Sequence, residues 1–299
     1  MRQVSRRNFI KFCTASAAGL GLGPFDLVGL QKVLANPAGP SVLWLQGSGC
    51  TGCTMSFLNY ISPTAPTDAA DVLINYINLA YHPNLSPVAG ESAVSVVQQI
   101  RNAGNYILVV EGGIPTAFNG GACYAWSSQG TDVTFADAVR DLAARAVQIL
   151  CVGACSAFGG IPAAAPNPTG VVSVRTLTGK ATINVAGCPP HPDWIVWTVV
   201  QLLQGKAIAL DASGRPTSIF GRTVHDQCPR EERDEASTFG VPDLCLKELG
   251  CHGPVTRANC PVIQWNNKVN WCIGANALCL GCTQADFPTN PLFHGNYDD

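Results

Sequence analysis

Where the cysteines fall constrains this 299-residue chain more than any other feature. In chain order, eleven cysteines and one histidine form three groups of four. The first is Cys50, Cys53, Cys155 and Cys188; the second is His225, Cys228, Cys245 and Cys251; the third is Cys260, Cys272, Cys279 and Cys282. A cubane [4Fe–4S] cluster takes one protein ligand per iron, normally a thiolate and occasionally an imidazole. Twelve such ligands match three clusters, and three clusters in one chain imply electrons moved over a distance.

Two other uses of the cysteines compete with this one. Disulfides suit exported proteins, but loss of Cys13 with a leader leaves thirteen cysteines from fourteen, an odd number. Cys50/Cys53 and Cys279/Cys282 are also metal-like CxxC pairs. Zinc in Cys/His sites is the binding-protein alternative; it predicts a colourless protein where iron–sulfur clusters give a brown one.

The leader is itself informative. Ser5-Arg6-Arg7-Asn8-Phe9-Ile10-Lys11 reads as a twin-arginine export signal, followed by a mild apolar run broken by glycines, Pro24 and Asp26. Val33-Leu34-Ala35 fits a small-residue cleavage site. The expectation is export to the periplasm in the folded state, after clusters have been assembled in the cytoplasm. No later stretch reaches the eighteen or so apolar residues of a membrane span, so any membrane attachment is expected through another subunit. Charged residues are 13% of the chain and the net charge is −2. Nothing in that balance suggests a nucleic-acid surface, which needs clustered Lys and Arg.

From Ser41 to about Leu210 strand and helix patterns alternate. Apolar runs at 42–46, 72–79, 106–110, 148–152 and 182–186 predict strands, and 92–101, 135–146 and 193–203 predict helices. That alternation implies a flavodoxin-like, doubly wound parallel sheet. Cys50 and Cys53 follow the first predicted strand, Cys155 the fourth and Cys188 the fifth. All four therefore reach the carboxyl edge of the sheet, where open α/β folds bind ligands. Beyond Gly214 the alternation stops. The remaining residues carry eight of the twelve candidate ligands, few long apolar runs and only short helical turns around 242–249. Such a segment owes its order to metal. The expected organisation is a signal peptide over 1–35, a flavodoxin-like domain over 36–212 and a small, irregular, mostly α, cluster-rich domain over 213–299.

The ordered motifs carry a resemblance. Gly49-Cys50-Thr51-Gly52-Cys53, Glu111-Gly112-Gly113-Ile114-Pro115, Gly153-Ala154-Cys155 and Gly187-Cys188-Pro189-Pro190-His191-Pro192 come first. His225-x-x-Cys228, Leu249-Gly250-Cys251, Asn259-Cys260-Pro261, Asn270-Trp271-Cys272 and Cys279-Leu280-Gly281-Cys282 follow. Together they resemble the small subunit of a periplasmic nickel–iron hydrogenase, most closely its nickel–iron–selenium branch, over essentially the whole chain. The resemblance implies that the first group holds the proximal cluster, the third the medial and the second, with His225, the distal. It implies a large-subunit partner that carries the nickel–iron centre and cleaves H2, and a c-type cytochrome or other redox protein as electron partner. No catalytic residue is expected in this chain.

Departures from the family pattern refine the expectation. Cys272 stands where most small subunits have proline and a [3Fe–4S] medial cluster, so a [4Fe–4S] medial cluster is expected here. Gly52 and Gly160 stand where oxygen-tolerant relatives carry two extra cysteines. Cys123 and Cys151 are left over; Cys151 is expected to pack in a strand. A rival within the enzymes is the respiratory-complex relative whose similar sheet holds one cluster, which the cysteine-rich second half contradicts. The run Glu231, Glu232, Asp234 and Glu235 with Arg230 and Arg233 reads as a solvated, salt-bridged face. His82 and His252 have no partner spacing, and His191 is expected to cap or pack beside Cys188.

Overall fold

Five parallel strands form the central sheet of the computed structural model, which describes residues 40–288. The export motif, Cys13, the cleavage site and the last eleven residues lie outside the described residues. In chain order the strands are β1 (Ser41–Gln46), β2 (Asn78–Tyr81), β3 (Tyr106–Glu111), β4 (Gln148–Val152) and β5 (Ile183–Val185). Their spatial order is β2-β1-β3-β4-β5, all parallel. This is the flavodoxin-like order, with its topological switch between β1 and β3.

The strands form where branched and aromatic residues run without interruption, and alternate residues feed opposite faces. Leu43, Leu45, Leu108, Val110, Ile149 and Cys151 face one side, against Phe135, Val139 and Leu142 of the helix Phe135–Arg145. Val42, Trp44, Ile107, Val109, Leu150 and Val152 face the other, against Trp194 and Ile195 of the helix Pro192–Leu203. Cys151 is thus a fully buried packing residue, as expected. Burying each large apolar side chain contributes about 2 kcal/mol.

Two of the predicted helices are capped by recognisable residues. Thr134 accepts the Asp137 N–H ahead of Phe135–Arg145, and the His191 ring accepts the Asp193 N–H ahead of Pro192–Leu203. The predicted strand at 72–79 is corrected. Asp68 caps a helical turn at Ala69–Asp71 by accepting the Asp71 N–H, and the chain continues through the π-helical segment Val72–Tyr76. Only Asn78–Tyr81 reaches the sheet edge. The apolar run had no cue for the cap because a fully buried run suits either element.

The second half packs on one face of this sheet. Phe220, Val224, Leu246, Ala258, Trp271, Ile273 and Leu278 join the apolar cluster that contains Val109 and Trp194. Helical content there is limited to short pieces such as Thr217–Phe220 and Cys260–Ile263. Polar ties fix the junction: Trp194 Nε1 donates to Asn259 Oδ1 at 2.7 Å, and His191 Nε2 donates to the Gln264 carbonyl at 2.7 Å. Arg215, 5% exposed, donates to Asp211 and to the Thr283 carbonyl. Among the described residues no helix is long and apolar enough to cross a membrane.

Candidate metal centres

Register fixes the first group. Gln46 pairs with Glu111 and Glu111 with Val152, so β1, β3 and β4 end level. Cys50 and Cys53 lie just beyond β1, Cys155 beyond β4 and Cys188 beyond β5. Burial, the Glu111 carboxylate and then Cys155, Cys188 and Cys50 push the Cys53 thiol well above its ordinary value. Burial with Cys188 and Cys50 pushes Cys155 up to about 12, against an opposing backbone N–H at Ile161. Four sulfurs from three loops are therefore gathered at one edge.

A buried polar network holds that edge. Glu111 Oε1 accepts the backbone N–H groups of Cys53 and Thr54, each at 3.1 Å. Its Oε2 accepts Trp44 Nε1 at 3.0 Å and the Thr54 hydroxyl. His82 Nδ1 accepts the Asn84 N–H at 3.1 Å, which leaves Nε2–H to face Thr54 Oγ1 at 3.3 Å. Burial lowers the His82 pKa to about 4, so the ring is neutral near pH 7. Gly153 shows how close the packing is: with φ +99°, a Cβ there would stand 2.4 Å from Cys53 Sγ. Only glycine meets both demands.

The third group gathers in the same way. Burial and then Cys282, Cys279 and Cys272 raise the Cys260 thiol well above its ordinary value. Cys282 is pushed up to about 12 and Cys279 to about 11, burial being the main cause for each. Cys272 is exposed as a residue, yet enough protein surrounds its sulfur to raise its pKa. It is placed with the other three by its effect on each of them.

In the second group, burial raises Cys228 and Cys251, and each feels Cys245. His225 opens a short turn, His225–Gln227, and its N–H donates to the Gly253 carbonyl at 3.0 Å. A Cβ at Gly253 would lie 3.4 Å from Cys251 Sγ and 3.8 Å from His225 Cβ. The missing side chain lets these two residues approach across it.

The groups are also joined to one another. The Cys282 thiol lies close enough to Cys188 to feel its backbone N–H and its sulfur. The Cys279 N–H donates to Cys251 Sγ at 3.4 Å, and the His252 N–H to the Cys279 carbonyl at 2.8 Å. In space the third group therefore touches both the first and the second.

All thirteen cysteines among the described residues are free thiols. Among those residues no three His, Cys, Asp or Glu side chains are drawn tightly enough to hold a single metal ion. Four thiols within electrostatic reach of one another can supply the one ligand per iron that a cubane asks for. The donor set fits iron–sulfur clusters.

Sequence reading missed the roles of Glu111, Thr54 and His82, which meet from the end of β3, the helix Gly52–Leu58 and the loop after β2. It also placed Arg230 on a solvated face, and the structure corrects this: its Nη1 donates to the Leu244 carbonyl at 3.1 Å and to Asn276 Oδ1 at 2.8 Å. His191 caps its helix as expected. Cys123 is partly buried against the sheet core, and nothing in the fold gives it a further role.

The sheet order, with four sulfurs on its carboxyl edge and a cysteine-dense half packed beneath, defines a flavodoxin-like redox protein of two parts. Comparison with known proteins makes that specific. Residues 50–202 match the family model described as NADH ubiquinone oxidoreductase, 20 Kd subunit. Residues 220–294 match the family model for the C-terminal part of the NiFe/NiFeSe hydrogenase small subunit. The periplasmic [NiFeSe] hydrogenase small subunit of Desulfomicrobium baculatum is 40% identical over 309 residues, covering 95% of this chain and 96% of that protein. The periplasmic [NiFe] hydrogenase small subunit of Solidesulfovibrio fructosivorans is 40% identical, covering 95% and 90%. The solved [NiFeSe] hydrogenase of Desulfovibrio vulgaris Hildenborough superposes with a TM-score of 0.81 at 37% identity, over 87% of this chain and 99% of that one. The chain belongs to the NiFe/NiFeSe hydrogenase small-subunit family. As such it is an oxidoreductase component of a hydrogenase, and small subunits of this family pair with a large subunit.

Proposed function

We propose that this chain relays electrons between a large-subunit active site, where H2 ⇌ 2 H⁺ + 2 e⁻, and an external redox partner such as a c-type cytochrome. Cys50, Cys53, Cys155 and Cys188 would hold a proximal [4Fe–4S] cluster. Cys260, Cys272, Cys279 and Cys282 would hold a medial one, and His225, Cys228, Cys245 and Cys251 a distal one. Each bound cluster would take up and release one electron. The protein's part is to fix the ligands, keep water out and aim N–H groups at sulfur, all of which set potential.

One observation supports this reading most: the third group has neighbours in both of the others, through the Cys279 N–H that donates to Cys251 Sγ at 3.4 Å and through Cys282, which feels Cys188. That is the order a relay needs. The two-part division, a flavodoxin-like domain over 36–212 and a cluster domain over 213–299, belongs to the same proposal. So does periplasmic delivery of the folded protein by the Ser5–Lys11 signal. A [4Fe–4S] medial cluster follows from the fourth thiol, Cys272; without it a [3Fe–4S] cluster is the alternative.

Iron and acid-labile sulfide in the anaerobically purified complex test the reading. Twelve irons attributable to this subunit are expected. A colourless protein, or a count far below that, would sink it.

A further inference from the structure

Arg230 is the residue whose position departs most from its sequence context. It sits in an acidic run, yet its side chain turns inward to the Leu244 carbonyl and Asn276 Oδ1, while its own N–H donates to Cys228 Sγ at 3.4 Å. Leu244 immediately precedes Cys245 of the second group. Asn276 lies in the loop between Cys272 and Cys279 of the third. The guanidinium is thus tied to both groups at once.

Its charge is not neutralised locally. Among the described residues Arg230 forms no salt bridge, whereas the buried Arg215 is bound by Asp211 at 2.8 Å and Glu235 is engaged by Lys247 at 3.2 Å. Glu231, Glu232 and Asp234 beside it in sequence are exposed. Reduction of a cluster adds negative charge, and a half-buried cation held in place beside it stabilises that added charge.

We propose that Arg230 is a positioning residue for the relay: pinned between the second and third ligand groups, its unpaired guanidinium raises the reduction potentials of the clusters held there relative to the first. This rests on reading those groups as cluster ligands. An electron arriving from the first group then meets acceptors made more favourable by a single side chain.

Redox titration followed by EPR, on the anaerobically purified complex with its large subunit, tests this. Arg230→Gln is expected to lower the outer midpoints by about 60 mV, a tenfold change in a one-electron equilibrium. The first-group midpoint should stay put, and Arg230→Lys should recover most of the shift. Unmoved midpoints, or an equal fall in the Gln and Lys variants, would overturn the inference. If Arg230→Gln does not assemble, Asn276→Gly loosens the guanidinium while keeping its charge. It should lower the same midpoints by less, and no shift would again overturn the inference. Wild-type protein lacking three cluster signals would remove the underlying cluster assignment instead, before any variant is compared.

Discussion

The Glu111 carboxylate accepts the backbone N–H of Cys53 at 3.1 Å, tying the last residue of β3 to a candidate ligand in the short helix Gly52–Leu58 after β1. Glu111 is 1% exposed and also serves Thr54 and Trp44. Each buried donor left unpaired costs about 1–3 kcal/mol. Glu111→Ala should therefore destabilise the subunit by roughly 3 kcal/mol or more and release iron from the first group. Thermal unfolding and iron content of the purified complex check this; a variant with wild-type values for both would contradict the role.

Gly153→Ala should be worse than its size suggests. Its φ of +99° and the 2.4 Å approach of a Cβ to Cys53 Sγ act together. Gly179→Ala is the control: φ is +67° but nothing lies within 4 Å, so its cost should be only about 1 kcal/mol. Iron loss confined to Gly153→Ala is the expected outcome. Similar behaviour of the two variants would mean that backbone strain, not contact with the ligand, decides.

Cys272 has φ −50°, which proline tolerates. Cys272→Pro thus tests a ligand without forcing the backbone. The expected result is a three-iron EPR signal in the oxidised variant that the unmodified protein lacks. The same signal as the native species of the unmodified protein would defeat the four-thiolate assignment.

His82 gives a pH dependence of definite sign. Its pKa falls from 6.5 to about 4 on folding because burial disfavours the cation. Between those values the unfolded chain binds the proton and the folded one does not, so stability drops as pH falls from 6.5 toward 4. The full effect is about 3 kcal/mol. His82→Gln should flatten this part of the profile relative to wild type in thermal unfolding against pH. Parallel profiles would assign the acid sensitivity elsewhere.

Much of this was legible in sequence, for identifiable reasons. Runs such as Tyr106–Glu111 and Gln148–Val152 are long enough and branched enough to announce buried strands. The glycines after them mark loops, and that placed Cys50, Cys53, Cys155 and Cys188 on one edge. Val72–Leu79 misled because the decisive cue was a side chain cap at Asp68, outside the run. Arg230 misled because its neighbours in sequence are acidic, while its partners, Leu244 and Asn276, are 14 and 46 residues away.

The sequence by itself determined the α/β alternation and supplied the candidate ligands with their proposed division into fours, since these depend on local pattern and count. Chain order alone would have put the second group in the middle; it was the family resemblance, not the spacing, that implied otherwise. Only the tertiary structure set the third group against both others, closed the Glu111–Thr54–His82 network and placed a guanidinium without a counter-ion between two candidate ligand groups. Each of these depends on hydrogen bonds a few ångströms long between segments far apart in the chain, and such distances exist only once the core has packed.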